Sequence, residues 1–179
     1  MLITRCFRYA FLAAVGVGAG AAASLAGPAS AQDVVATFDD WTVYSYVEAG
    51  RKVCYVGSHP AKEEGTFRKR SDPIVLVAHR GGEAASEAAT EEVSVTSGYP
   101  YKEKSQVTVE IGDNTFSLFT LKEWAWTKNA AGDREIVSAM VRGSTMTVRG
   151  ESRFGTSSVD TYSLKGFTAA RKSMADACK

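Results

Sequence analysis

The side chains with reactive potential are few: the cysteines Cys6, Cys54 and Cys178, and the histidines His59 and His79. A zinc site needs three or four His, Cys or carboxylate ligands at suitable spacing, and this set offers no such arrangement. G-x-S-x-G, a phosphate-binding loop and H-E-x-x-H are all missing from the sequence. The expectation is therefore a protein that is not an enzyme, with no metal and no cofactor. An enzyme would require the fold to bring His59 or His79 to an acid and a nucleophile distant in sequence. His79 ends the apolar run "IVLVA" and reads as a hydrogen-bonded structural residue, while His59, before Pro60, reads as a solvated loop residue.

Binding chemistry is better represented. Arg68-Lys69-Arg70 is a compact basic cluster that could meet an acidic partner, although Glu63, Glu64 and Asp72 flank it and favour a solvated loop. Tyr99 and Tyr101 bracket Pro100, and tyrosine offers a large contact area with a polar tip. These five residues, Arg68, Lys69, Arg70, Tyr99 and Tyr101, are the binding candidates. Trp124 and Trp126 alternate by two and share one strand face, for which a place in the core is favoured over a binding surface. The carboxylate pairs Glu63-Glu64 and Glu91-Glu92 are adjacent in sequence, so on extended backbone they point apart and read as surface solvation.

The first residues explain the cysteines. Arg5 and Arg8 precede an uncharged run from Ala10 to Leu25, followed by Pro28 and the small residues Ala29-Ser30-Ala31. This is the pattern of a secretory signal peptide over residues 1–31, leaving one domain over 32–179 and no membrane span in it. Cleavage removes Cys6 and leaves an even pair, which in an exported chain reads as a Cys54–Cys178 disulfide; two free thiols and a redox-active pair are the alternatives, the latter lacking C-x-x-C. It also takes two of the 21 basic side chains and none of the 20 acidic ones, so the remainder carries one net negative charge. That balance gives no general reason to bind nucleic acid. The expected location is the periplasm or the outer surface.

The elements that must position these residues are mostly strands. Trp41 to Val47 and Lys52 to Ser58 alternate around "EAGR", as in an antiparallel hairpin. Trp41, Val43 and Ser45 share one face and Thr42, Tyr44 and Tyr46 the other, while Cys54 lies with Val56. "IVLVAHR" reads as a central strand buried on both faces, and "GGEAASEAATEE" as a short helix or a loop. Gly112-Asp113-Asn114 turns a second hairpin whose Val107, Val109 and Ile111 share a face. Ile136, Val137, Met140 and Val141 recur at helical spacing, with Gly143 placed as a C-terminal cap. Phe167, Ala170, Met174 and Cys178 form an apolar stripe on a second, terminal helix. The expected architecture is mainly β: a single-domain antiparallel sandwich or distorted barrel with one or two short helices, one of them C-terminal.

Several stretches resemble the invasion-associated locus B family of exported α-proteobacterial proteins. They are "FDDWTVYSY", "KVCYVGSHP", "FSLF" and the run from Met140 to Cys178, in which Gly143, Gly150, Ser152, Gly155, Asp160, Tyr162, Gly166 and Phe167 follow the family pattern. The namesake branch carries further cysteines, whereas this chain has Ser45 near Trp41 and no mid-domain cysteine, so it resembles a divergent branch. The resemblance implies a β-rich periplasmic or surface protein without established catalysis, linked to colonisation or entry of host cells, and it carries over no catalytic residue. Its partner would be a protein or another envelope component. The alternative is a periplasmic carrier holding a small ligand in the sandwich or at its mouth.

Overall fold

Inward and outward side chains alternate along nearly every segment, and this period of two is what makes a sheet. The computed structural model describes residues 32–67, 70–80 and 90–179; the expected signal peptide and most of the "GGEAASEAATEE" segment lie outside the described residues. Among the described residues eleven strands occur in the order β1 (Asp33–Phe38), β2 (Trp41–Glu48), β3 (Arg51–Ser58), β4 (Lys62–Gly65), β5 (Ile74–Arg80), β6 (Thr90–Thr96), β7 (Gln106–Ile111), β8 (Asn114–Leu121), β9 (Trp124–Trp126), β10 (Thr145–Glu151) and β11 (Ser157–Ser163). The helix α1 (Ala130–Arg142) follows β9, and α2 (Phe167–Ala177) follows β11.

All strands join one antiparallel sheet in the order β1-β2-β3-β5-β6-β9-β8-β7-β10-β11-β4. The sheet does not close into a barrel; it folds over so that its early and late strands meet. The Trp41 indole N–H donates to the Ser163 carbonyl at 3.0 Å, and the Asp40 N–H to Lys165 at 3.4 Å. The core between them holds Trp41, Val43, Val56, Leu118, Met146, Val148 and Tyr162, with Ile111 at the α1 end.

The β2–β3 hairpin turns through Ala49 and Gly50, both with positive φ, which matches the right-handed strand twist. In β5 only Val75 and Val77 are fully buried, while Ile74, Leu76 and Ala78 are half-buried on the other face. The reading of a strand buried on both faces is therefore corrected: an apolar run reports covering on one side plus partial shielding by neighbours on the other.

Asn129 caps α1, its side chain accepting from the Ala131 and Gly132 N–H groups. Ile136, Val137, Ala139 and Met140 face inward, whereas Val141 is exposed. Gly143 ends the helix with φ of −85°, not a left-handed cap; its role is space, because a Cβ there would lie 2.6 Å from the Ile111 Cγ2. Gly166, at φ of 89°, starts α2, and a Cβ would meet the Phe38 carbonyl oxygen at 2.0 Å. α2 buries Phe167, Ala170 and Met174 against β1, β2 and β3, with the Phe167 ring edge-on to Trp41 at 4.8 Å. Cys178 extends that stripe and is bonded to Cys54, their Cα atoms 5.9 Å apart.

Candidate interaction surface

The outward face of the sheet is rich in aromatic residues. Alternation turns Tyr44 and Tyr46 outward on β2 and Tyr55 on β3, and the register sets Tyr44 opposite Tyr55 and Tyr55 opposite Ala78. The Tyr44 and Tyr55 rings stack at 5.0 Å, and Tyr46 meets Tyr55 edge-on at 6.3 Å. Burial pushes the Tyr55 hydroxyl pKa up, with Tyr44 adding to it. Further across, Leu76 pairs with Ser94, Ser94 with Trp126 and Trp126 with Phe119, so one row runs outward over β5, β6, β9 and β8. Phe119 lies 5.8 Å from the Trp126 ring and is 40% exposed, and Leu121 is 59% exposed. Exposed Phe119 and Leu121 beside half-buried aromatic rings make the kind of apolar surface found at contact sites.

This corrects the expectation for Trp124 and Trp126. Ala125 between them is the inward residue of β9, so both indoles stand on the outer face, half-buried. A three-residue strand between β6 and β8 has one core position, and the smallest side chain occupies it.

A groove opens where the β8–β9 turn approaches the loop around Pro100. The turn is held by the Tyr101 N–H donating to Lys122 at 2.8 Å, and the far wall by the Arg153 N–H donating to Pro100 at 2.9 Å. The first hollow, about 970 Å³, is lined among others by Pro100, Lys104, Leu121, Lys122, Trp124 and Arg153. A second, about 730 Å³, shares Pro100 and Glu123 with it and has Phe67, Tyr99 and Phe154 among its walls. Lys102 pairs with Glu151 at 2.9 Å; Lys104 and Lys122 have no ion-pair partner among the described residues. Arg153 lies over the Phe154 ring at 4.7 Å, and that ring is 71% exposed.

Beneath the second hollow lies a buried polar cluster. Arg70 donates to both Asp160 oxygens at 2.8 and 2.6 Å, to Glu63 at 2.6 Å and to the Ser97 carbonyl at 3.1 Å. Phe67 stacks on its guanidinium at 4.1 Å. Burial opposes the charge of Arg70, but its bonds to Asp160 and Glu63 prevail and its pKa rises. The Tyr99 hydroxyl donates to the Gly150 carbonyl at 2.9 Å and lies 2.8 Å from the Ser158 hydroxyl, which reaches Asp160. The Tyr101 hydroxyl donates to Ser97 Oγ and accepts from the Ser97 N–H. Burial raises the pKa values of Tyr99, Tyr101 and Tyr162, and Asp160 adds to each rise.

The binding candidates thus fall differently from expectation. Tyr99 and Tyr101 are core residues, 6% and 4% exposed, because each hydroxyl has an internal partner and a buried tyrosine is then no longer penalised. Arg70 is an internal ion-pair residue with a side chain only 3% exposed, not a surface cation, since Asp160 draws it inward from the late strands. Arg68 and Lys69 lie outside the described residues. The groove itself had a faint trace in the sequence: "LKEW" places an apolar residue and a tryptophan on either side of a two-residue charged turn.

The histidines stand apart. His59 Nδ1 lies 3.0 Å from the Pro73 carbonyl, and His79 pairs with Cys54 across β3 and β5. Among the described residues no group of three His, Cys, Asp or Glu side chains is gathered as a metal site. No helix among them is long and apolar enough to cross a membrane.

Comparison with known proteins bears on this architecture. No curated protein matches the chain in sequence. The crystal structure of invasion associated protein B from Bartonella henselae superposes with a TM-score of 0.54 at 14% identity, covering 79% of this chain and 94% of that one, which is a likeness of fold. The model of the invasion associated locus B protein family matches residues 41–175, from Trp41 on β2 into the last turns of α2. A match over that span means that the chain belongs to the invasion associated locus B family.

Proposed function

We propose that this is an exported, non-enzymatic protein of the cell envelope that acts by binding another macromolecule through the outward face of its sheet. The observation that carries the reading is the outward row ending in Trp126 and Phe119, with the Tyr44, Tyr46 and Tyr55 cluster beside it. Indole and phenol rings contribute large contact area at small entropic cost, and they dominate the energetics of protein interfaces. The signal-like residues 1–31 and an even cysteine pair support a periplasmic or surface location. The similar Bartonella henselae protein is described as invasion associated, which favours a role in host colonisation for this chain too. Carriage of a small ligand is the second reading, favoured by the two hollows, which open to the surface instead of lying inside the core.

The test compares residues 32–179 with the variant Phe119→Ser/Trp126→Ser, both immobilised and exposed to envelope extract and to host-cell membranes. Both positions are on the outer face, so the variant should stay folded, its melting temperature lowered only by the loss of the half-buried Trp126 packing on Phe119. A partner recovered by the native surface and lost from the variant supports the reading. Recovery of nothing above background, or a partner held equally by both, overturns it.

A further inference from the structure

We infer that the groove beside this face binds an acidic polysaccharide, a chain of sugar rings bearing carboxylate or sulfate groups. The two hollows, about 970 and 730 Å³, share Pro100 and Glu123 and so lie side by side as a two-part trough, each part within the roughly 300–1,000 Å³ range of ligand sites. Adjoining hollows that both open to the surface suit successive units of a polymer. Trp124 lines one part and Phe154 the other, aromatic side chains of the kind against which the C–H edge of a sugar packs. Lys104, Lys122 and Arg153 supply positive charge, and neither lysine is spent on an ion pair among the described residues.

Three features select the class. Glu103 and Glu123 also line the trough, so it alternates cations with hydrogen-bond acceptors. A glycan uses both, setting its anionic groups on the lysines and donating its hydroxyls to the glutamates. A DNA backbone is also anionic at every unit but has almost no free hydroxyls, so it would face those glutamates with like charge and no donor to offset it. An extended peptide usually adds its main chain to a free strand edge; β8 and β9, which border the first hollow, are each paired on both sides. What remains is recognition by ring faces and charged tips. The groove shares Leu121 and Trp124 with the outward face but uses neither Phe119 nor Trp126, so variants at those two positions and at the lysines test the two readings separately.

The experiment titrates residues 32–179 with heparin oligosaccharide, following tryptophan fluorescence in a Trp126→Phe background. Trp41 is fully buried, so Trp124 is the indole that reports. Saturable binding should occur, weaken as salt is raised, and fall about 10- to 100-fold in Lys104→Glu/Lys122→Glu, since each reversed lysine removes a charge contact and adds a repulsion. Calorimetry should show the same loss in Trp124→Ala and none in Phe119→Ser, with melting temperatures confirming that every variant is folded. Neutral dextran should not bind. The inference is overturned if heparin does not bind, if the double lysine variant binds within twofold of the native chain, or if single-stranded DNA, polyglutamate or anionic vesicles bind as tightly as heparin. A failed extract capture with intact heparin binding would remove only the face reading, and the reverse result only this one.

Discussion

Breaking the Cys54–Cys178 bond should lower stability globally while loosening the native structure only at its last turn. The bond closes a loop of 124 residues, for which the chain-entropy relation gives about 5 kcal/mol, and measured disulfides deliver about 2–4. For a chain of this size 1 kcal/mol moves the melting temperature by about 2–4 °C, so Cys178→Ser should lower it by roughly 5–15 °C. The native helix has other anchors. Phe167, Ala170 and Met174 are fully buried, and Arg171 donates to Glu91 at 2.6 and 2.9 Å. These lie in the first two turns of α2, so the variant should fray beyond Met174 and hold before it. Calorimetry measures the first effect, and hydrogen exchange measures the second, quickening at the amides beyond Met174 while those from Phe167 to Met174 stay protected. Reduction of the unmodified protein should reproduce both, which excludes an artefact of the serine. Two free thiols in the native protein, or a melting temperature unchanged by variant and reductant alike, would refute the reasoning.

Asp160→Asn should cost about 3–5 kcal/mol in denaturant unfolding, because it leaves the buried Arg70 charge with Glu63 alone, whereas Arg70→Leu/Asp160→Leu should cost less than the single change. Raised pH should destabilise the protein from about pH 10, where unfolded tyrosine ionises while buried Tyr101 and Tyr162 hold their protons. The unfolded state then binds fewer protons, so stability falls by up to about 1.4 kcal/mol per pH unit for each of the two, and Tyr162→Phe should flatten that slope in urea titrations. Gly166→Ala should lower the melting temperature at least as much as a lost core methyl, since its Cβ would press on the Phe38 carbonyl at a φ of 89°; an unchanged melt would show that the β1–α2 approach can relax.

Much of the local structure was legible because it depends on near neighbours. The alternation of Trp41, Val43 and Ser45 against Thr42, Tyr44 and Tyr46 set the two faces of β2, and Gly112-Asp113 set a tight turn. The 3-4-4 spacing of Phe167, Ala170, Met174 and Cys178 gave α2 its buried stripe and pointed the terminal thiol inward. The candidate contact residues fared worse. A tyrosine beside proline in a loop carries the same local signal whether its hydroxyl meets water or Ser97, and only the approach of β10 and β11 to that loop decides.

The sequence by itself therefore determined most of the strands, though it read Lys62–Gly65 as loop where β4 pairs with β11, and it determined the turns, the two helices, the even cysteine pair and the family pattern, all properties of residue type and short spacing. Tertiary structure alone decided which face of each strand became the inside. It turned Trp124 and Trp126 outward because Ala125 holds the single core position of β9, and it drew Arg70 inward because Asp160, ninety residues later, arrives on β11. It also made the groove, whose walls come from segments that share no local pattern and meet only when the sheet folds over. Burial depends on the neighbours that long-range pairing supplies, and those are not written in any one window of the chain.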